Sequence, residues 1–367
     1  MVTKEEVLEA LRHVRYPGKE GNIVELGLVQ QDITIEGNRI ALPLHFNRPR
    51  DPFAKSLIKA AEQALLTYIS ADLDVKGHIT ALYPEPAPEQ VNPLPEVKNI
   101  VAVFSGKGGV GKSTITANLA VAVAQAGYRV GVLDADVYGP SMPKMFGCEE
   151  AKPQAVERDG AQWIQPIEVI NGIKLLSIGF FVDADTALLW RGTLASNALN
   201  QLITQGDWGS LDYLFIDMPP GTGDIHLTLV QNIAVTGAIV VTTPQQVALA
   251  DAVKGVNMFR AQNVEVPVLG LVENMSWFTP AELPSNRYYI FGKGGGAALA
   301  TRMNIPLLGQ IPIVQSVCES GDSGVPIAAH RDHILGIAFA ELAQSVVQAV
   351  DERNARLAPS KKVEMKH

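Results

Sequence analysis

At 367 residues the chain is long enough for two or three domains, and 47% hydrophobic with 19% charged residues excludes a disordered polymer. A net charge of −8 and a pI near 5.4 argue against a protein whose main work is coating nucleic acid or an anionic membrane. Cys148 and Cys318 cannot build a disulfide framework, no apolar leader follows Met1, and no uncharged run approaches ~20 residues, so the expected location is the cytoplasm.

In chain order, Val7, Leu8, Leu11 and Val14 recur at helical spacing behind Thr3, a candidate cap, and Pro17-Gly18 stops that helix. Alternating stretches from Leu28 to Ile35 and from Arg39 to Phe46, around Glu36-Gly37-Asn38, predict a hairpin. A helix from Asp51 to Ser70 and a strand from Val75 to Leu82 complete a small α+β domain over residues 1–83. Pro84, Pro86, Pro88, Pro93 and Pro95 fix φ and remove backbone donors, which makes 84–97 an extended linker.

Beyond the linker, apolar runs alternate with helical segments: Ile100 to Phe104, Val130 to Leu133, Tyr213 to Ile216, Ala238 to Thr242, Val268 to Val272 and Leu307 to Ile311. Runs apolar on both faces predict an α/β domain over 98–353, with a mostly parallel sheet flanked by helices. The interval from Lys152 to Ile178 breaks the rhythm and reads as an irregular excursion with short strands. A final helix is expected from His330 to Glu352, then a mobile tail over 354–367 with Lys361, Lys362 and Lys366.

Gly106, Lys107, Gly108, Gly109, Val110, Gly111, Lys112, Ser113 and Thr114 lie between the first of these apolar runs and a helix pattern from Ile115 to Ala126. The spacing G-x-x-x-x-G-K-S is that of a triphosphate cradle: glycines let consecutive N–H groups turn toward one anion, and the helix start adds further donors. In that reading Lys112 meets the β- and γ-phosphates of ATP and the Ser113 hydroxyl takes a place on Mg²⁺. Leu214-Phe215-Ile216-Asp217 is an apolar strand ending in a carboxylate, which assigns Asp217 to the same Mg²⁺. Gly221 and Gly223 follow in a loop suited to approach a γ-phosphate. Asp134 and Asp136 end another strand on the crevice side of a parallel sheet. Asp136 is the candidate that orients an attacking water, with a helix-capping aspartate as its alternative. Lys107 is a second cation that a phosphate loop does not need, which suggests charge stabilisation of a phosphoryl transition state and makes Lys107, Lys112 and Asp136 the catalytic candidates.

Gly106-Lys-Gly-Gly-Val-Gly-Lys-Ser-Thr114 resembles the deviant Walker A of the group that includes MinD, ParA and the nitrogenase iron protein. The resemblance implies a nucleotide-sandwich homodimer in which Lys107 reaches the partner's nucleotide. Leu133 to Ser141, Trp190-Arg-Gly192, Asp217 to Asp224, Thr242-Thr-Pro-Gln245 and Glu273-Asn-Met-Ser276 together resemble the Mrp/ApbC iron–sulfur cluster carriers. Ile23-Val-Glu-Leu-Gly27 resembles the MIP18-like domain that many bacterial members carry. These likenesses imply an ATPase that carries iron–sulfur clusters or helps assemble them, with scaffold or apo-acceptor proteins as partners; the acidic charge balance, with Glu341, Asp351 and Glu352 in the final helix, leaves no nucleic acid or membrane expected. They also imply that Asn274 contacts the adenine.

One departure stands out. In that family Glu-Asn-Met-Ser is followed within a few residues by Cys-x-x-Cys, whose thiolates hold a cluster between subunits; here Trp277 to Tyr289 contains no cysteine. Cys318 or Cys148, doubled by a twofold axis, is the candidate replacement, against a small cysteine without metal as the plain alternative. His330 and His333 read as a solvated helix start and His226 as a helix-start residue. Trp277, Tyr288 and Tyr289 form either an interaction surface or simple loop packing. A positioning or partition ATPase and a nucleotide-gated scaffold are the competing functions.

Overall fold

The computed structural model describes residues 2–18, 21–30, 32–46, 51–83, 93–158, 160–181, 193–262, 264–280, 282–283, 285–314, 320–321 and 323–360. The chain separates into two compact units, Met1–Val91 and Asn92–His367. Most of the linker, residues 84–92, and the last seven residues, 361–367, lie outside the described ones.

In the first unit, helix α1 (Lys4–Leu11) begins on a capping box: the Thr3 hydroxyl accepts the Glu6 N–H while the Glu6 carboxylate accepts the Thr3 N–H. Strands β1 (Thr34–Glu36) and β2 (Arg39–His45) pair antiparallel around Gly37, at φ 64°, and β3 (Ile79–Leu82) lies parallel to β2. Ile40, Leu42 and Leu44 bury one face of β2 beneath Leu57, Ala61 and Leu65 of α2 (Ala54–Tyr68). The first hairpin strand is shorter than the expected stretch from Leu28. Leu28 and Val29 are both buried, which breaks the period-two alternation a half-buried strand requires.

The second unit is organised around β4 (Val97–Phe104). Ala102 and Phe104 point into one core, Val101 and Val103 into the other, so a continuous apolar run covers both faces of the sheet. Strands β5 (Val130–Asp134), β8 (Ile167–Val169), β9 (Ile173–Ser177), β10 (Leu211–Asp217), β11 (Gly237–Thr242), β12 (Val268–Phe278) and β13 (Leu307–Ile313) complete it in the order β13-β12-β11-β4-β10-β5-β9-β8. Every neighbouring pair is parallel except β8 with β9. Helices α3 (Lys112–Gln125) and α9 (Ile334–Arg356) belong to one face; α5 (Thr193–Gln205), α6 (Asp224–Asn232), α7 (Gln246–Arg260) and α8 (Gly295–Met303) belong to the other. Helix α4 (Met142–Met145) is a single turn after β5.

The excursion read between Lys152 and Ile178 does hold a short hairpin, β6 (Ala155–Arg158) with β7 (Ala161–Ile164). It also holds β9, a full member of the parallel sheet beside β5, which the sequence reading missed. The strand follows a turn at Asn171-Gly172, both at positive φ, instead of a helix, so the β-α rhythm that marks the other strands is absent there. Helix α9 starts at Ile334 and runs to Arg356, taking in the first three residues of the expected tail. It is long and apolar enough by length and composition to cross a bilayer, yet Leu335, Phe339, Leu342, Val346 and Val350 of its inner face are buried in the core with α3.

Candidate functional site

The loop from 105 to 111 leaves the carboxyl end of β4 and turns straight into α3. Two of its glycines are at φ values that side chains avoid, Gly109 at 78° and Gly111 at 82°. Gly106 is required by space instead, because a Cβ there would overlap the backbone carbonyl of Asp251 in α7. The helix therefore starts at Lys112 with its first N–H groups facing the loop's concavity, an arrangement that accepts phosphate oxygens.

Lys112 is only 5% exposed. Its ammonium lies 2.7 Å from Asp217 Oδ1 and 3.6 Å from Asp136 Oδ2, and donates to Ser113 Oγ at 3.2 Å. The Ser113 hydroxyl donates to Asp217 Oδ2 at 2.6 Å and Thr116 Oγ1 donates to Asp217 Oδ1 at 2.8 Å. Sequence reasoning thus brought Lys112, Ser113, Asp136 and Asp217 to one place and overlooked Thr116. It sits one helical turn beyond Lys112, a spacing that would have flagged it.

Asp134 is held by a different set of partners. Its Oδ2 accepts the Met142 N–H at 3.1 Å and the Ser177 hydroxyl at 2.8 Å, and its Oδ1 accepts the Asp136 N–H at 3.2 Å. Burial, then the nearby Asp217 charge, push its carboxyl up to about 7 against the pull of those bonds and of Lys112. Burial also raises Asp136, whose carboxylate accepts the Tyr138 N–H at 3.2 Å and so shapes its own loop instead of capping a helix.

The loop after Asp217 is tied down at both ends. The Gly221 N–H donates to Ser105 O at 3.0 Å, and the His226 ring, in the first turn of α6, lies 2.8 Å from Pro219 O and 3.1 Å from Gly223 O. Burial holds that imidazole below its ordinary range. His226 is therefore the helix-start residue the sequence suggested, with a structural task.

A cleft of about 640 Å³ opens beside the phosphate loop, with Gly111, Thr114, Lys144, Asn274, Met275 and Phe291 among its walls. Asn274 extends from β12 and donates its amide to Val110 O at 2.9 Å. Lys107 is exposed and makes no ion pair with a described residue. His333 is the N-cap of α9, its Nδ1 accepting the Leu335 N–H at 3.1 Å.

Beyond Asn274, Phe278 and Tyr288 exchange two backbone hydrogen bonds of 2.8 Å each. Arg287 stacks 4.4 Å above the Trp277 ring and Lys293 lies 4.9 Å from Tyr289. Among the described residues no group of three or more His, Cys, Asp or Glu is placed to hold a metal ion. Cys148 is half-buried, and burial with the neighbouring Glu149 pushes its thiol up to about 11, a poor thiolate source. Cys318 and Trp190-Arg-Gly192 lie outside the described residues.

Residues 96–347 match the family described as NUBPL iron-transfer P-loop NTPase, and residues 4–72 match the family described as iron-sulfur cluster assembly protein. An iron-sulfur cluster carrier protein of Synechocystis is 43% identical over 90% of this chain and 93% of its own length. The protein of the same name from Haemophilus influenzae is 41% identical over 93% and 90%. Among solved structures, a nucleotide-binding protein of Archaeoglobus fulgidus in complex with ADP superposes with a TM-score of 0.55 at 39% identity, covering 63% of this chain and 88% of that one. The cell division ATPase MinD of Pyrococcus furiosus, at 22% identity and a TM-score of 0.50 over 68% and 99%, shares the fold.

Proposed function

Because the chain belongs to the NUBPL-type iron-transfer P-loop NTPases, we propose that it hydrolyses ATP and uses the cycle to carry iron–sulfur clusters, or to assist their assembly, for delivery to apo-proteins. The observation that carries this reading is the bonded group of Lys112, Ser113, Thr116 and Asp217 under a glycine loop, in a chain that aligns with the carrier proteins of Synechocystis and Haemophilus influenzae over 93% and 90% of their own lengths. The likeness to MinD shows the fold alone and does not extend a positioning function to this chain.

In the proposed cycle the loop N–H groups and the start of α3 take the phosphate oxygens. Lys112 exchanges its contacts with Asp217 and Asp136 for the β- and γ-phosphates. That exchange frees Asp136 to hold a water in line with the γ-phosphorus. Ser113 Oγ and Asp217 supply hard oxygen donors 2.6 Å apart, which fits Mg²⁺, an ion that neutralises phosphate charge when bound. The cleft lined by Asn274, Met275 and Phe291 receives the nucleoside. His226 keeps the loop from Pro219 to Gly223 close enough to register whether the γ-phosphate is present.

The proposal includes a homodimer with Lys107 reaching the partner's nucleotide. Support comes from where the exposed apolar side chains fall. Tyr138, Val247, Tyr288, Tyr289 and Ile290 all lie in segments that follow the carboxyl ends of β5, β11 and β12, the edge from which Lys107 also projects. The cluster is cargo in this scheme, and the described residues offer no thiolate set for it, so no step is assigned to its ligands. Location in the cytoplasm, suggested by the sparse cysteines, belongs to the same reading.

The test is anaerobic transfer: the protein is reconstituted with iron and sulfide, mixed with an apo-acceptor enzyme, and recovery of that enzyme's activity is followed with and without ATP. Faster recovery with the protein and ATP is expected. Recovery no faster than with iron and sulfide alone, in every nucleotide state, would refute a role in cluster delivery or assembly.

A further inference from the structure

Glu273 is wholly buried inside β12 and stands outside the nucleotide cleft. A buried carboxyl group is costly unless both oxygens find donors. Here they do, from two separate elements. Oε1 accepts the Gln310 side-chain amide of β13 at 2.7 Å, and Oε2 accepts the backbone N–H of Gly296 in the first turn of α8. The helix end favours an acceptor at that point, since its N–H groups carry the positive end of the dipole. A Cβ on residue 296 would sit 2.8 Å from the Glu273 Cβ, so glycine is what lets the helix come so close.

The next residue points the other way, as alternation along a strand dictates. Its amide is the one that holds Val110 O, and the space beside Gly111 is filled by the same Asn274 group. Immediately afterwards Met275 adopts φ 56°, a left-handed conformation that side chains rarely take. Three consecutive residues thus link a helix start, the phosphate loop and the turn that carries Met275 into the cleft wall.

We propose that Glu273 is a positioning residue for the nucleotide site: clamped by Gly296 and Gln310, it fixes the backbone from which Asn274 braces the phosphate loop at Val110. The inference rests on the nucleotide-binding reading above. Glu273 touches no ligand itself and acts through Asn274.

The test is calorimetric titration of the full chain with ADP and Mg²⁺ for the wild type, Glu273→Ala, Glu273→Gln, Asn274→Ala and the Glu273→Ala/Asn274→Ala pair. Glu273→Ala is expected to raise the Kd roughly tenfold, the scale of one lost hydrogen bond in a buried setting. Glu273→Gln should stay within about threefold, because its carbonyl still accepts the Gly296 N–H and Gln310 can turn its amide to pair with the other arm. In the Asn274→Ala background the Glu273→Ala change should add less than about twofold, which general loosening of the fold would not produce. Independent, multiplicative effects, or an unchanged Kd in Glu273→Ala, overturn the inference while leaving nucleotide binding in place. A wild type without measurable ADP affinity overturns the nucleotide reading and this inference with it. Should Glu273→Ala fail to fold, Gln310→Ala takes its place in the same cycle, with an expected loss of about threefold that vanishes beside Asn274→Ala.

Discussion

The Asp134→Asn substitution should change how stability depends on pH. Its carboxyl rises from 3.8 to about 7 on folding, chiefly through burial and the Asp217 charge, so between those values the folded chain holds a proton that the unfolded chain has released. Stability from this group is therefore full below about 4, falls by about 1.4 kcal/mol for each pH unit, and is lost above about 7, some 4 kcal/mol in all. Asparagine removes that dependence and brings its own cost. One of the two backbone N–H groups now bonded to the carboxyl, of Met142 or Asp136, meets an amide NH₂, a loss of ~1–3 kcal/mol. The stability difference between wild type and variant should accordingly move by about 3 kcal/mol in the variant's favour between pH 5 and pH 8. Urea unfolding of nucleotide-free protein, followed by tryptophan fluorescence, measures it cleanly, because Trp163, Trp190, Trp208 and Trp277 all belong to the second unit. A stability difference that stays constant from pH 5 to pH 8 would refute the assignment of a buried, protonated Asp134.

Lys112→Ala should abolish ADP binding in a direct titration. It should also destabilise the nucleotide-free protein by ~3–5 kcal/mol, because it leaves the buried Asp217 and Asp136 without their shared cation. Lys107→Ala, at an exposed position, should keep ADP affinity within about twofold and lower phosphate release at least roughly tenfold, as expected of a transition-state contact; equal loss of binding in both lysine variants would remove the trans-acting role. Asp136→Asn should slow single-turnover hydrolysis by roughly a hundredfold with little change in affinity, and an unaltered rate would take it off the catalytic list. Gly106→Ala should cost nucleotide binding by displacing the loop from α7, visible as a raised Kd together with a lowered melting temperature.

The phosphate loop was legible because everything that defines it is local: a strand, a fixed glycine spacing, a lysine and a helix start lie within 30 residues of one another. Asp217 was legible for a related reason, as the last residue of an apolar strand. What the sequence could not carry were partnerships across the sheet. Ser177 supports Asp134 only because β9 lies beside β5, and β9 was hidden in a segment whose turn replaces the usual helix. Glu273 and Gly296 are 23 positions apart, and no spacing rule links a buried acid in a strand to a glycine in a later helix. The two copies of a cationic lysine in the loop were visible at once. That one is sealed against two carboxylates while the other faces solvent is a property of the fold alone.

Helix α9 has a consequence for how the chain is made. It is the last helix among the described residues, and its inner face completes the same core that buries α3, the helix on which the phosphate loop ends. During synthesis the first unit can close on its own residues long before the ribosome finishes. The second cannot close until α9 has been made, because Phe339, Leu342 and Val346 belong to the same core as Val101, Val103 and Leu119, which come far earlier in the chain. Until then an oily flank of the half-built sheet stands open, and the unit that carries the phosphate loop closes as a single late event, when the waiting flank and its cover finally meet.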